Sequence, residues 1–160
     1  MRKLLTVICF VTTLLLAGIV SAATLTGSLN VTATMESVCT LSASTNVSFG
    51  SYIGNTKDVN GQINVLCTPS TSYTISLGTG QSGTYANRAM SNIAMTYLLN
   101  YNLYKDLYVT VWGNGTGGSE TVTETGDGTL HSTPVIGRVF SGQSVEAGDY
   151  SDTVVVTITY

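Results

Sequence analysis

Ahead of its first mature cysteine, the chain alternates without a miss. Leu25, Gly27, Leu29, Val31, Ala33 and Met35 hold the odd positions, and Thr24, Thr26, Ser28, Asn30, Thr32, Thr34 and Glu36 hold the even ones. A period of two sends successive side chains to opposite faces of an extended strand, so this stretch reads as a strand that buries a single side. Its position sharpens the constraint. The residues that lead into a compact domain are commonly ragged and polar. Here they carry a continuous apolar edge, and such an edge needs a groove to lie in.

What precedes this stretch reads as a secretory signal. Arg2 and Lys3 are followed by the apolar run Leu4 to Val20, and Val20-Ser21-Ala22 offers a small-residue cleavage site. Cleavage after Ala22 and cleavage after Ala23 fit equally well. The run approaches the length of a membrane anchor, but the cleavage site and the lack of flanking charge beyond Ala22 favour removal. The expected organisation is therefore a signal peptide over residues 1–22, an N-terminal extension over 23–37 and a single domain over 38–160. A domain of that size can bury a substantial core.

Without the signal, Lys57, Arg88, Lys105 and Arg138 face nine acidic residues, a net charge of −5, and 9% of all residues are charged. Four scattered cations make no phosphate-tracking surface, so nucleic acid is not an expected partner. Cys9 leaves with the signal. Cys39 and Cys67 remain, an even number in an exported chain, and read as one disulfide contributing about 3–4 kcal/mol. Their spacing suits neither a redox CxxC pair nor a metal site, and His131 is the sole histidine.

Strands dominate the rest. Gly61–Thr68, Ser72–Leu77, Thr129–Phe140 and Asp149–Tyr160 alternate, separated by Pro69-Ser70, Gly142 and Ala147-Gly148. Tyr97, Tyr101, Tyr104 and Tyr108 have helical spacing, but apolar residues fill every other side. Two strands, Thr96–Tyr104 and Leu107–Trp112, describe the segment better. Gly78–Gly83 and Gly113–Gly128 are expected to be loops. Short strands between turn signals point to an all-β sandwich of Ig-like type. In the last strand Val154, Val156, Ile158 and Tyr160 line one face, and the sequence given supplies no further strand to lie beside them. The expectation is an incomplete sandwich with an open, core-lining edge, of the kind natural proteins must close.

The residues Val47-Ser48-Phe49-Gly50-Ser51-Tyr52, Gly61-Gln62-Ile63-Asn64-Val65-Leu66-Cys67-Thr68 and Tyr73-Thr74-Ile75-Ser76-Leu77 begin an ordered series of short motifs. Arg88-Ala89-Met90, Leu99-Asn100-Tyr101-Asn102-Leu103-Tyr104-Lys105-Asp106, Trp112-Gly113, Ile136-Gly137-Arg138-Val139 and Ala147-Gly148-Asp149-Tyr150-Ser151-Asp152 continue it. In order and spacing the series resembles the spore coat U domain family, which includes subunits of archaic chaperone–usher pili. The chain departs from the pattern at Val135-Ile136-Gly137-Arg138, where no aromatic residue precedes the glycine. The resemblance implies an incomplete Ig-like pilin held open by a periplasmic chaperone and polymerised through an outer-membrane usher by donor-strand exchange. It further implies passage through the periplasm to the surface of a Gram-negative cell, with neighbouring pilin subunits as partners and surface adhesion and biofilm formation as the role. In that scheme Leu25, Gly27, Leu29, Val31, Ala33 and Met35 form the donor strand, with Gly27 where the groove is shallow. Val154, Val156, Ile158 and Tyr160 mark the acceptor groove and chaperone contact. β-Strand addition of this kind draws affinity from main-chain hydrogen bonds and specificity from alternate side chains.

Other function classes are less well served. Neither a catalytic residue nor a cofactor, metal or small-molecule substrate is expected. His131 reads as a solvated loop residue without an acidic partner, and Asp149 with Asp152 as a turn cap. Gly113-Asn114-Gly115-Thr116-Gly117-Gly118 matches GxGxxG, but Ser119-Glu120-Thr121-Val122-Thr123 after it favours strand or loop rather than the required helix. The alternatives are a secreted glycan- or surface-binding β-sandwich, with Trp112 and Tyr85 available for stacking, and a coat or matrix protein assembled without an usher.

Overall fold

The structure is a computed structural model that describes residues 21–82 and 84–160. The expected signal peptide lies outside these residues, save for its last two positions. The chain falls into two units, Met1–Thr34 and Met35–Tyr160. In the described part of the first, residues 21–34 have no regular secondary structure and their side chains are exposed. The alternating apolar residues of that stretch are thus presented but unpaired.

The second unit is all-β, with no α-helix among the described residues. Its strands are β1 (Cys39–Thr45), β2 (Lys57–Cys67), β3 (Ser72–Leu77), β4 (Arg88–Asn92), β5 (Leu98–Tyr104), β6 (Val122–Thr125), β7 (Leu130–Val139), β8 (Tyr150–Ser151) and β9 (Val156–Thr159). They form a six-stranded sheet, β1-β2-β7-β5-β4-β8, and a three-stranded sheet, β6-β3-β9. Every strand pairing is antiparallel. The period of two that marks β3 in the sequence reappears as burial: Tyr73, Ile75 and Leu77 point into the core, while Ser72 does not. From the other sheet, Ile63, Val65 and Cys67 of β2 and Val135 and Val139 of β7 complete the same core. This is the expected Ig-like sandwich.

Cys39 and Cys67 are bonded to each other, 28 residues apart and directly opposite in the β1–β2 register. Pro134 is accommodated because its half of β7 pairs with β2 alone; β5 joins only from Ile136 onward. Proline is tolerated in a sheet at such local edges.

Several boundaries differ from expectation. Leu107–Trp112 is not a strand but a run of bends with two isolated bridges, Tyr104 to Val111 and Trp112 to Glu120. The Asp106 carboxylate is the cause, because it accepts the amides of Val109 (3.0 Å) and Thr110 (2.8 Å) and so closes a tight turn. Asp149–Tyr160 is divided into β8 and β9, which belong to different sheets. The chain crosses between sheets at Asp152, whose carboxylate takes the amides of Gln81 (2.9 Å) and Thr153 (2.7 Å). The expected loop Gly113–Gly128 contains β6, and β1 and β4 were not anticipated. β4 and β6 are short strands with little apolar alternation of their own, whereas β1 does alternate, with Cys39, Leu41 and Ala43 against Thr40, Ser42 and Ser44.

Candidate functional site

Between the two sheets lies an open cleft of about 1340 Å³. Its floor is the sandwich core itself, with Ile63 and Val135 from β2 and β7, Leu99 and Tyr101 from β5, and Leu77 from β3. One wall is the end of β1 and the irregular segment after it, residues 44–54; the other is residues 143–154 leading into β9. The first wall lies close because Gly61 and Gly137, on adjacent strands, carry no side chain. A Cβ on Gly61 would come within 2.8 Å of Val47 Cγ2, and one on Gly137 within 2.4 Å of Val47 Cγ1. Only glycine permits this approach.

The walls are stitched together at one end. Tyr52 donates its hydroxyl hydrogen to the Phe140 carbonyl (2.8 Å) and accepts the Gln143 amide (3.2 Å), while the Gly142 amide reaches the Gly54 carbonyl (2.9 Å). Gln143 in turn exchanges hydrogen bonds with the backbone of Asn100, donating to its carbonyl (2.8 Å) and accepting its amide (2.6 Å). Beyond this closed end, β9 offers one backbone edge. Among the described residues its other edge pairs with β3, and its free edge flanks the cleft.

The four residues expected to mark the groove are distributed as follows. Val154 and Val156 line the cleft, half-buried. Ile158 shares their face and packs on the core without lining the cleft, and Tyr160 is exposed. Leu25, Leu29, Val31 and Met35 are each at least 82% exposed, and Gly27 has open space around it. The wall residues Val47, Phe49, Tyr52 and Gln143 were missed as site residues. The period-two step from Val47 to Phe49, polar Ser48 between them, was the available signal.

A buried cation lies within the sandwich and is not among the residues that line the cleft. Arg88 is 0% exposed, and its guanidinium donates to the Gly78 carbonyl (3.0 and 2.8 Å), the Trp112 carbonyl (2.7 Å) and Asn102 Oδ1 (2.7 Å). Burial pulls its pKa below the ordinary guanidinium value. Tyr85 stacks beside it, 5.3 Å from ring centre to guanidinium carbon. On β5, Tyr101 donates to Asp152 (2.6 Å), tying the sheet crossing to the cleft floor. Burial, then the Asp152 carboxylate, pushes the Tyr101 phenol well above its ordinary pKa.

Two sequence expectations are corrected here. Trp112 is fully buried and donates its indole N–H to the Ile75 carbonyl (3.1 Å), so it offers no stacking face to a glycan. His131 is not a loop residue without partners. It lies on β7, with Nδ1 3.5 Å from Glu124 and Nε2 3.1 Å from Asp127. Glu124 also accepts Tyr73 (2.7 Å) and Thr133 (3.0 Å), which makes it a link between the sheets. Asp152 does cap the Gln81 and Thr153 amides, in addition to receiving Tyr101. Chemically, the cleft offers apolar floor, hydroxyl and amide walls and a backbone edge.

Comparison with known proteins agrees with this architecture. The family model for the Spore Coat Protein U domain matches residues 25–157. Protein U of Myxococcus xanthus is 32% identical over 157 residues, covering 87% of this chain and 87% of its own. Among solved structures, this chain is similar to one in the CsuC–CsuE chaperone–tip adhesion subunit pre-assembly complex from archaic chaperone–usher Csu pili of Acinetobacter baumannii. That match has a TM-score of 0.60 and 24% identity, and covers 78% of this chain and 40% of the other, so it speaks to the fold. From the family model and the curated relative together, the chain belongs to the Spore Coat Protein U domain family.

Proposed function

We propose that this chain is a structural subunit of an archaic chaperone–usher pilus that polymerises by donor-strand exchange. Residues 24–36 of one copy lie along the β9 edge of the next, with Leu25, Leu29, Val31 and Met35 directed into the cleft and Gly27 at a shallow point. One observation carries the reading: an apolar cleft beside an unpaired strand edge occurs in a chain whose alternating N-terminal segment is exposed and without regular structure. Before polymerisation the same edge is occupied by a strand of a periplasmic chaperone, and an outer-membrane usher exports the fibre to the surface of a Gram-negative cell, where it serves adhesion and biofilm formation. Removal of Thr24–Met35 is expected to leave chaperone capture intact and to stop growth of the fibre on the truncated subunit. Normal polymers from that truncation would refute the donor role.

A second reading is favoured by the matching family model, that of the Spore Coat Protein U domain. In it the subunit builds a coat or matrix layer without an usher, using the same strand donation. The two separate when the chain is produced with a cognate chaperone alone and with chaperone and usher together. Fibres that need the usher support the pilus.

A further inference from the structure

The chain contains two Asn-Gly steps, Asn60-Gly61 and Asn114-Gly115, and the fold treats them oppositely. We propose that Asn114-Gly115 is a self-modification site, at which the folded loop promotes spontaneous deamidation of Asn114, while Asn60 is held inert. The proposal is independent of strand exchange.

Asn114 and Gly115 are both exposed in the loop after Trp112. Asn114 Oδ1 accepts two hydrogen bonds from the same neighbour, Thr116 N (3.0 Å) and Thr116 Oγ1 (2.6 Å). This turn fixes the side-chain carbonyl beside the following backbone and polarises it. Gly115 is exposed, with φ +85° and nothing within 4 Å of where a Cβ would stand, so its neighbours leave the step room to close into a ring. Thr116 itself is anchored, because its carbonyl accepts the Ser119 amide (3.0 Å) and hydroxyl (2.7 Å).

In the reaction, the Gly115 amide nitrogen loses its proton and attacks Asn114 Cγ. The N–Cγ bond forms, negative charge gathers on Oδ1, and the two Thr116 donors stabilise it as an oxyanion hole would. The Cγ–Nδ2 bond then breaks and ammonia leaves, taking up the proton lost from Gly115. Water opens the resulting cyclic imide at either carbonyl, giving aspartate or isoaspartate, with no change of oxidation state. Aspartate keeps the acceptor oxygens of the turn. Isoaspartate adds a methylene to the main chain and cannot rebuild it. Either product adds one negative charge to the loop.

At Asn60-Gly61 the asparagine is likewise exposed, but the backbone is held differently. It lies within β2, paired with Ile136 and Val135 of β7. Gly61 is buried, and its surroundings come within 2.7 Å of a would-be Cβ, at Thr45 O. Extended strand geometry keeps the attacking nitrogen from the carbonyl.

The test is incubation of the folded mature protein at mildly alkaline pH, with peptide mapping by mass spectrometry and an isoaspartate-specific methyltransferase assay. Free synthetic peptides spanning each step serve as references. Expected results are conversion at Asn114 at least as fast as in its free peptide, conversion at Asn60 far slower than in its own, and several-fold slowing at Asn114 in Thr116→Val. Folding of that variant is checked by circular dichroism, and Thr116→Ser, which keeps the hydroxyl, should retain the wild-type rate. Slower conversion at Asn114 in the folded protein than in its peptide, or a Thr116→Val rate equal to wild type, would overturn the proposal.

Discussion

Arg88 is the residue on which the sandwich interior most depends. A fully buried guanidinium survives only when its donors are matched, and here the Gly78 and Trp112 carbonyls and Asn102 Oδ1 match them. Arg88→Met should strand these acceptors and cost about 3 kcal/mol or more in urea unfolding. Arg88→Lys should recover little, because a point-like ammonium cannot fork to three acceptors. Two tyrosines set a pH limit. Burial, with the Glu124 carboxylate for Tyr73 and Asp152 for Tyr101, raises both phenol pKa values above the ordinary 10.0. Above about pH 10 the unfolded chain releases these protons while the native state keeps them, so stability falls as pH rises. Melting temperature measured from neutral to alkaline pH should drop above that point, and Tyr73→Phe should flatten the drop.

At the scale of elements, the proposed assembly rests on β9 and the segment ahead of β1. Both announced themselves in the sequence through period-two alternation, as did β2, β3, β5 and β7; the strands lay a face on the core, while the segment ahead of β1 is exposed. What alternation did not reveal were strands stabilised by neighbours rather than by their own apolar face. β6 is the clearest case, since Glu124 accepts Tyr73 on the neighbouring β3 and Thr133 on β7 across the sandwich. The false strand at Leu107–Trp112 failed for a related reason. Its residues have the right propensity, but one carboxylate, Asp106, captures two amides and turns the chain. The cleft was legible only in part. Val154 and Val156 line the cleft, whereas the opposite wall depends on Gly61 and Gly137 making room for Val47, a contact between two strands and the segment after β1 that a linear reading does not expose. Two expectations belong here. Leu29→Asp should block assembly while leaving the chaperone-bound subunit soluble, as seen by size-exclusion chromatography. Cys39→Ser should lower periplasmic yield, since it removes the clamp that fixes β1 to β2.

For the whole molecule, the account is one of complementarity between copies. One part of the chain presents apolar side chains without a partner, and another presents an apolar cleft and an unpaired backbone edge. An exposed edge of this kind invites pairing with another chain, and in the proposed assembly strand donation would turn that hazard into ordered growth. The most direct measurement is the size distribution of the mature protein released from its chaperone, comparing the full chain with one lacking Thr24–Met35. The account predicts a ladder of polymers for the full chain and none in which the truncated subunit donates. Equal ladders from both would contradict it.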